Sequence, residues 1–280
     1  MNRYLALGVV IDCEIDDAAA AADLARLLAP LATSEPRQSV VRLEGGKVVA
    51  DGERFALFEG ADRTDARADP AGAGVEAVVS YLVHIVNRTA IGRTPLLAIH
   101  AGAVERHGRA IVVAGQERVG KSTLTAALVQ HGAGYLTDEA VAFEWASLLV
   151  VPYPKPLSLS ESSLRALGLE HADVAPDADR QVLAAELSSG PLGRPCHVGM
   201  VILPHHVPGA APELLPISRT EAVVALSGNT FHLGRQRAAA VRHLAAVTAG
   251  AACFRMTVGE PGPAATMLLA ESERVVVRQP

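Results

Sequence analysis

Apolar residues recur along this chain with two periods, and the switches between them predict its elements. Residues 4–12 read as a strand. Asp16 and Asp17 then open an Ala/Leu-rich helix reaching about residue 31, their charge suiting the start of a helix dipole. Residues 38–44 and 47–51 flank Gly45-Gly46, a hairpin signal, and residues 53–59 add a third strand. Residues 62–74 are rich in Asp, Arg, Ala and Pro and read as a loop. Helical spacing returns over residues 75–86 and on to about 89. The pattern predicts a small α+β unit over residues 1–94 and a second domain over residues 95–280.

From Pro95 the strands become more apolar. Residues 96–104 and 109–114 read as strands joined by a turn at 105–108, and residues 122–131 as a helix with Leu124, Leu128 and Val129 on one face. Residues 135–143 read as one strand with an acidic pair inside it, and 148–151 as another. Pro152-Tyr153-Pro154-Lys155-Pro156 cannot be helix interior. A short strand at 157–159, a short helix at 161–167 and a polar flap or mobile loop at 171–192 follow. Further on, 198–203 and 253–258 read as strands, and 221–226, 235–247 and 261–269 as helices. Residues 274–277 read as a last strand. There is no internal repeat.

Composition narrows the classes. With 280 residues, half of them hydrophobic, the chain can bury a sizeable core in one large domain or two. A net charge of −5 without a basic run argues against nucleic acid as a main partner. The three cysteines, Cys13, Cys196 and Cys253, form no C-x-x-C; this argues against a disulfide framework or zinc site and suits a reducing cytoplasm. His205-His206 and Cys196-His197 match no metal-site spacing. No apolar run approaches the roughly 18 residues of a membrane span, and no signal-peptide pattern opens the chain.

The chemistry concentrates in Gly115-Gln116-Glu117-Arg118-Val119-Gly120-Lys121-Ser122, which fits G-x-x-x-x-G-K-[ST], the Walker A phosphate loop. A buried strand runs in and a helix runs out, as the motif requires. Backbone N–H groups from Gly115 to Thr123 would cradle a nucleotide's phosphates at the helix N-terminus. Lys121, one of only three lysines, would reach the β/γ-phosphates, and the Ser122 hydroxyl would hold Mg²⁺. Sixteen residues after Ser122, Asp138-Glu139 offers two carboxylates with apolar flanks. Phosphoryl transfer needs one carboxylate near the metal and one to take the acceptor's proton. We expect Asp138 as the base and Glu139 toward metal or water; a solvated pair in a turn is the other reading. His100 lies in an apolar strand, where a lone histidine is more often a hydrogen-bonded core residue. Lys155, held between two prolines, reads equally well as a contact to phosphate or carboxylate and as an exposed lysine on a stiff segment.

The run Ile99-His100-Ala101-Gly102-Ala103-Val104, the loop from Gly115 to Ser122, and Tyr135-Leu136-Thr137-Asp138-Glu139-Ala140-Val141 together resemble the catalytic domain of HPr serine kinase/phosphorylase. HPr-kinase-related proteins of peptide-modification gene clusters are closer still, since they tend to carry a segment like Pro154-Lys155-Pro156-Leu157-Ser158-Leu159. The resemblance covers residues 96–159 well and the remainder weakly. It implies an α/β fold, a P-loop kinase core of the HPr kinase/phosphoenolpyruvate carboxykinase type, here with a small N-terminal α+β unit. It implies ATP and Mg²⁺ as cofactors. Carried over by position, His100, Lys121, Asp138 and Glu139 match catalytic residues and Ser122 a metal-binding one. The chain departs from the family in having Asp-Glu for Asp-Asp, in a loop interior that lacks Ser-Gly and carries Glu117, and in lacking a Leu-Glu-Ile-Arg-Gly-like segment. The last departure weakens the case for phosphorylase activity and for HPr as substrate.

The expectation is a cytoplasmic kinase acting on a hydroxyl, with a peptide or protein substrate, no nucleic-acid or membrane partner, and self-association left open. A nucleotide-binding accessory protein and a kinase of a small metabolite such as free serine are the alternatives.

Overall fold

The computed structural model describes residues 2–44, 47–50, 53–55, 75–116, 119–169, 179–231 and 237–278. The chain divides into two compact units, Met1–Pro95 and Leu96–Pro280.

In the first unit, β1 (Asn2–Ala6) and β2 (Val9–Ile15) form a hairpin, not the single strand expected over residues 4–12. Leu7 and Gly8 take left-handed φ values of 52° and 78°, the conformation of a two-residue hairpin turn. Asp17 caps α1 (Ala18–Leu27), its carboxylate accepting from Ala20 N at 2.8 Å, and a 3₁₀ turn at Ala29–Leu31 carries Pro30. The helix returns the chain to β3 (Ser39–Glu44), parallel to β2. Then β4 (Lys47–Ala50) and β5 (Glu53–Phe55) complete a five-stranded sheet in order β1-β2-β3-β4-β5. Helix α2 (Val75–Arg93) follows and runs four residues past the periodic stretch, burying Val79, Leu82, Val83, Val86 and Ala90 at i, i+3, i+4, i+7, i+11 spacing. The Gly45-Gly46 turn and the loop expected at 62–74 lie outside the described residues.

The second unit opens with a hairpin of β6 (Leu97–Arg106) and β7 (Arg109–Ala114), turned by His107 and Gly108 at φ 53° and 72°. Helix α3 (Lys121–Gln130) follows. The stretch expected as one strand over 135–143 is two, β8 (Gly134–Thr137) and β9 (Ala140–Phe143), broken by a bend at Asp138 and Glu139; both pair with β6. Short elements come next: β10 (Val150–Val151), β11 (Leu157–Leu159), α4 (Glu161–Ala166), β12 (Arg180–Val182) and α5 (Ala184–Leu187). The described part of the expected flap is therefore structured, since β12 pairs with β11. Residues 171–178 lie outside the described set.

Then β13 (His197–His206) runs parallel to β7, and β14 (Glu213–Pro216), α6 (Arg219–Gly228), α7 (Arg237–Val247), β15 (Ala252–Val258) and α8 (Pro261–Arg278) finish the unit. The sequence pattern gave no sign of β14, which is mostly exposed. The strand expected at 274–277 is the end of α8: Leu268, Ser272 and Val275 are buried at helical spacing, and this packing outweighs the β-branched composition of the valines.

The sheet order is β10-β9-β6-β7-β13-β15-β14, with β8 also on β6. Ile111 and Val113 of β7 face a core with Leu124 and Leu128 of α3 and Leu268 of α8. Ala110, Val112 and Ala114 face the other core, with Leu226 of α6 and Leu244 of α7. Helices thus cover both faces of a mixed sheet, an α/β architecture. Among the described residues no helix is long and apolar enough to cross a membrane.

Candidate functional site

The Walker A sequence lies where β7 ends and α3 begins. Gly120 is the helix N-cap at φ 85°, and a Cβ built there would meet nothing within 4 Å, so the backbone is open on that side. Gly115 lets the strand end against Val119, whose Cγ2 would lie 3.1 Å from an added Cβ. Lys121 is 6% exposed, and its ammonium folds back over the loop to donate to Gly115 O at 3.0 Å and Gln116 O at 2.7 Å. The first N–H groups of α3 have no carbonyl within the helix to meet, which gives this end its affinity for anions. Ser122 is half-buried in that first turn. Thr123, expected among the nucleotide contacts, shares a hydrogen bond of 2.8 Å with Ser163 Oγ at the start of α4. Glu117 and Arg118 lie outside the described residues.

Pairing places the other candidates beside this loop. Ala101 of β6 lies opposite Ala114, the last residue of β7, and its N–H donates to Glu139 O at 3.1 Å on the other side. The acidic bend is therefore two strand spacings, about 10 Å of backbone, from the start of the loop. His100 precedes Ala101, opposite Ala140. Its N–H donates to Asn229 O at 2.7 Å, and its half-buried ring meets the edge of Phe231 at 6.0 Å between centroids.

Asp138 is buried. Its Oδ1 accepts from Lys155 Nζ at 2.8 Å and Tyr135 OH at 3.1 Å, and its Oδ2 from Ser158 N at 3.1 Å. The Lys155 ammonium also lies 3.4 Å from Glu139 Oε2 and donates to Pro156 O at 2.9 Å. Lys155 is 1% exposed, so the reading of a solvent-facing lysine is overturned: the neighbouring carboxylates supply the partners that let a lysine be buried. Burial disfavours its charge, but Asp138 and Glu139 outweigh burial and hold its pKa above the usual lysine value. Burial first, and then the same carboxylates, push the phenols of Tyr135 and Tyr153 well up. Partial withdrawal from water and the nearby Asp138 and Glu139 raise the carboxyl of Asp179, with Lys155 pulling the other way.

The structure thus groups Asp138 and Glu139 around one ammonium and sets His100 in the adjoining strand. Tyr135 and Ser158 join the group without a sequence signal of their own; only the Pro-Lys-Pro segment hinted that Lys155 was fixed. Among the described residues no cluster of three or more His, Cys, Asp or Glu could by itself hold a metal.

Fold and site together define a mixed α/β protein with a Walker A sequence at a strand-to-helix turn. No family model and no curated protein matches the chain. Among solved structures it is similar to the HPr(Ser) kinase/phosphatase from Coxiella burnetii, at 11% identity and a TM-score of 0.32, over 64% of this chain and 97% of that one. A superposition that loose leaves function to be argued from the chain's own residues.

Proposed function

We propose that this chain is an ATP-dependent kinase that transfers the γ-phosphoryl group to a hydroxyl, most simply a serine of a peptide or protein. The observation that carries the reading is Lys121: a buried lysine folded over the strand-to-helix turn of a complete Walker A sequence, whose start lies two strand spacings from buried Asp138 and half-buried Glu139. In this reading the α3 N-terminus and the loop from Gly115 to Thr123 hold the ATP phosphates. Lys121 exchanges a loop carbonyl for a phosphate oxygen, and His100 stands beside the transferred group. Asp138 and Glu139 serve the acceptor and the metal. Ser122 and Glu139 offer the hard oxygens that suit Mg²⁺, which takes few protein ligands beside substrate phosphates. When bound, that ion would neutralise negative charge on the phosphates. The three cysteines are free and buried, which fits a reducing cytoplasm. Glu117 in the loop favours a second reading, an accessory protein that binds nucleotide and catalyses little.

Lys121→Ala tests the proposal. It removes a charge-assisted contact to phosphate, so MgATP affinity or turnover should fall at least about tenfold. Calorimetry and a phosphate-release assay measure both. Equal binding and turnover in the two proteins would end the phosphate-loop reading.

A further inference from the structure

We propose that Lys155 is the positioning residue of the acidic pair: it fixes the carboxylate of Asp138 so that Oδ2 is the oxygen left to take the acceptor's proton. The inference rests on the phosphotransferase reading. A carboxylate offers about four acceptor sites, two on each oxygen. Among the described residues, Oδ1 of Asp138 has both filled, by Lys155 Nζ and Tyr135 OH, whereas Oδ2 meets one donor, Ser158 N–H. The open site is therefore on Oδ2. A half-turn of the carboxylate would exchange the two oxygens, and Lys155 opposes that turn.

Lys155 is itself held. Its three N–H bonds have three acceptors, Asp138 Oδ1, Pro156 O and Glu139 Oε2, and the flanking Pro154 and Pro156 stiffen its backbone. The other donors are anchored as well. Tyr135 is buried in β8, and Ser158 lies in β11, paired to Gln181 of β12. Beyond β11, Ser163 bonds Thr123 in the first turn of α3, so one segment braces both the acidic pair and the phosphate loop. In the step this serves, the acceptor's proton passes to Asp138 Oδ2, its oxygen bonds to the γ-phosphorus, and the bond from that phosphorus to ADP breaks.

Lys155→Ala in the full-length protein tests the assignment by kinetics and by hydrogen exchange. Turnover should fall about 100-fold, the scale of a misplaced general base, while KM for MgATP changes less than about threefold. Ethylamine, which can refill the ammonium's place, should restore at least about tenfold. The Ser158 amide should exchange faster, while the Val201 and Phe254 amides in β13 and β15 keep their protection. If those amides also open, Lys155→Met, which keeps the volume, is read in the same way. A folded variant with unchanged turnover and a protected Ser158 amide overturns the proposal. So does a joint change of turnover and KM that ethylamine does not relieve. A wild-type chain that turns over no ATP overturns the phosphotransferase reading and with it the proton role, and the Ser158 exchange then decides whether Lys155 holds Asp138.

Discussion

Burial holds the imidazole of His243 below its usual pKa, and its Nε2 is buried with no hydrogen-bond partner among the described residues. Its ring lies 4.7 Å from that of Trp145, the chain's one tryptophan, and 6.4 Å from that of Phe143. The sign of the pH effect follows. A histidine with a depressed folded pKa binds its proton more strongly when unfolded, so its effect is absent above the unfolded pKa of about 6.5 and destabilises the fold as pH drops below it. Urea midpoints followed by Trp145 fluorescence should therefore fall between pH 7 and pH 5. His243→Phe, which keeps a ring and removes the titration, should flatten that fall; equal slopes in the two proteins would refute the assignment. At this scale the Walker A sequence was readable, because it demands a fixed spacing of Gly, Lys and Ser. Lys155 was not, because lysine is almost never fully buried unless paired and its partners lie sixteen and seventeen residues away.

At the scale of elements, α3 packs closely against β6. A Cβ at Gly102 would lie 2.2 Å from Thr125 Oγ1, so the helix that carries Lys121 and Ser122 packs directly on the strand that carries His100. Thr125 is fully buried and has little room to turn. Gly102→Ala should cost about 1–3 kcal/mol, the usual range for overpacking, and should weaken MgATP binding by displacing α3. Adding Thr125→Ala should recover most of the loss, as a double-mutant cycle in denaturant would measure. An unchanged midpoint for Gly102→Ala would mean that the helix and strand are not so tightly seated. Most elements were legible from periodicity. The hairpin at Leu7-Gly8 was hidden by apolar residues on both sides of the turn, and the end of α8 by three valines in a row whose helical state is set by packing.

For the whole molecule, every residue proposed to handle ATP lies in Leu96–Pro280, a compact unit with cores on both faces of its sheet. The alternation of strands and helices made an α/β class legible, but the sheet order was not, since non-local pairs such as β7 with β13 leave no local pattern. We propose that the two units are separate domains and that Met1–Pro95 serves the acceptor. Its five-stranded sheet ends in β1 and β5, and an extended peptide can add to a sheet edge. The outer side of β1 is already met in part, since Thr33 N donates to Arg3 O at 3.0 Å. A fragment of residues 96–280 should fold cooperatively and bind MgATP within about threefold of the full chain, a difference under 1 kcal/mol. With labelled ATP and serine-containing peptides, the full chain should add one phosphate by mass and the fragment far less. Equal peptide phosphorylation by both would remove the first unit from acceptor binding. Phosphate found only on free serine, or only as released inorganic phosphate, would replace the peptide kinase with a metabolite kinase or an accessory ATPase.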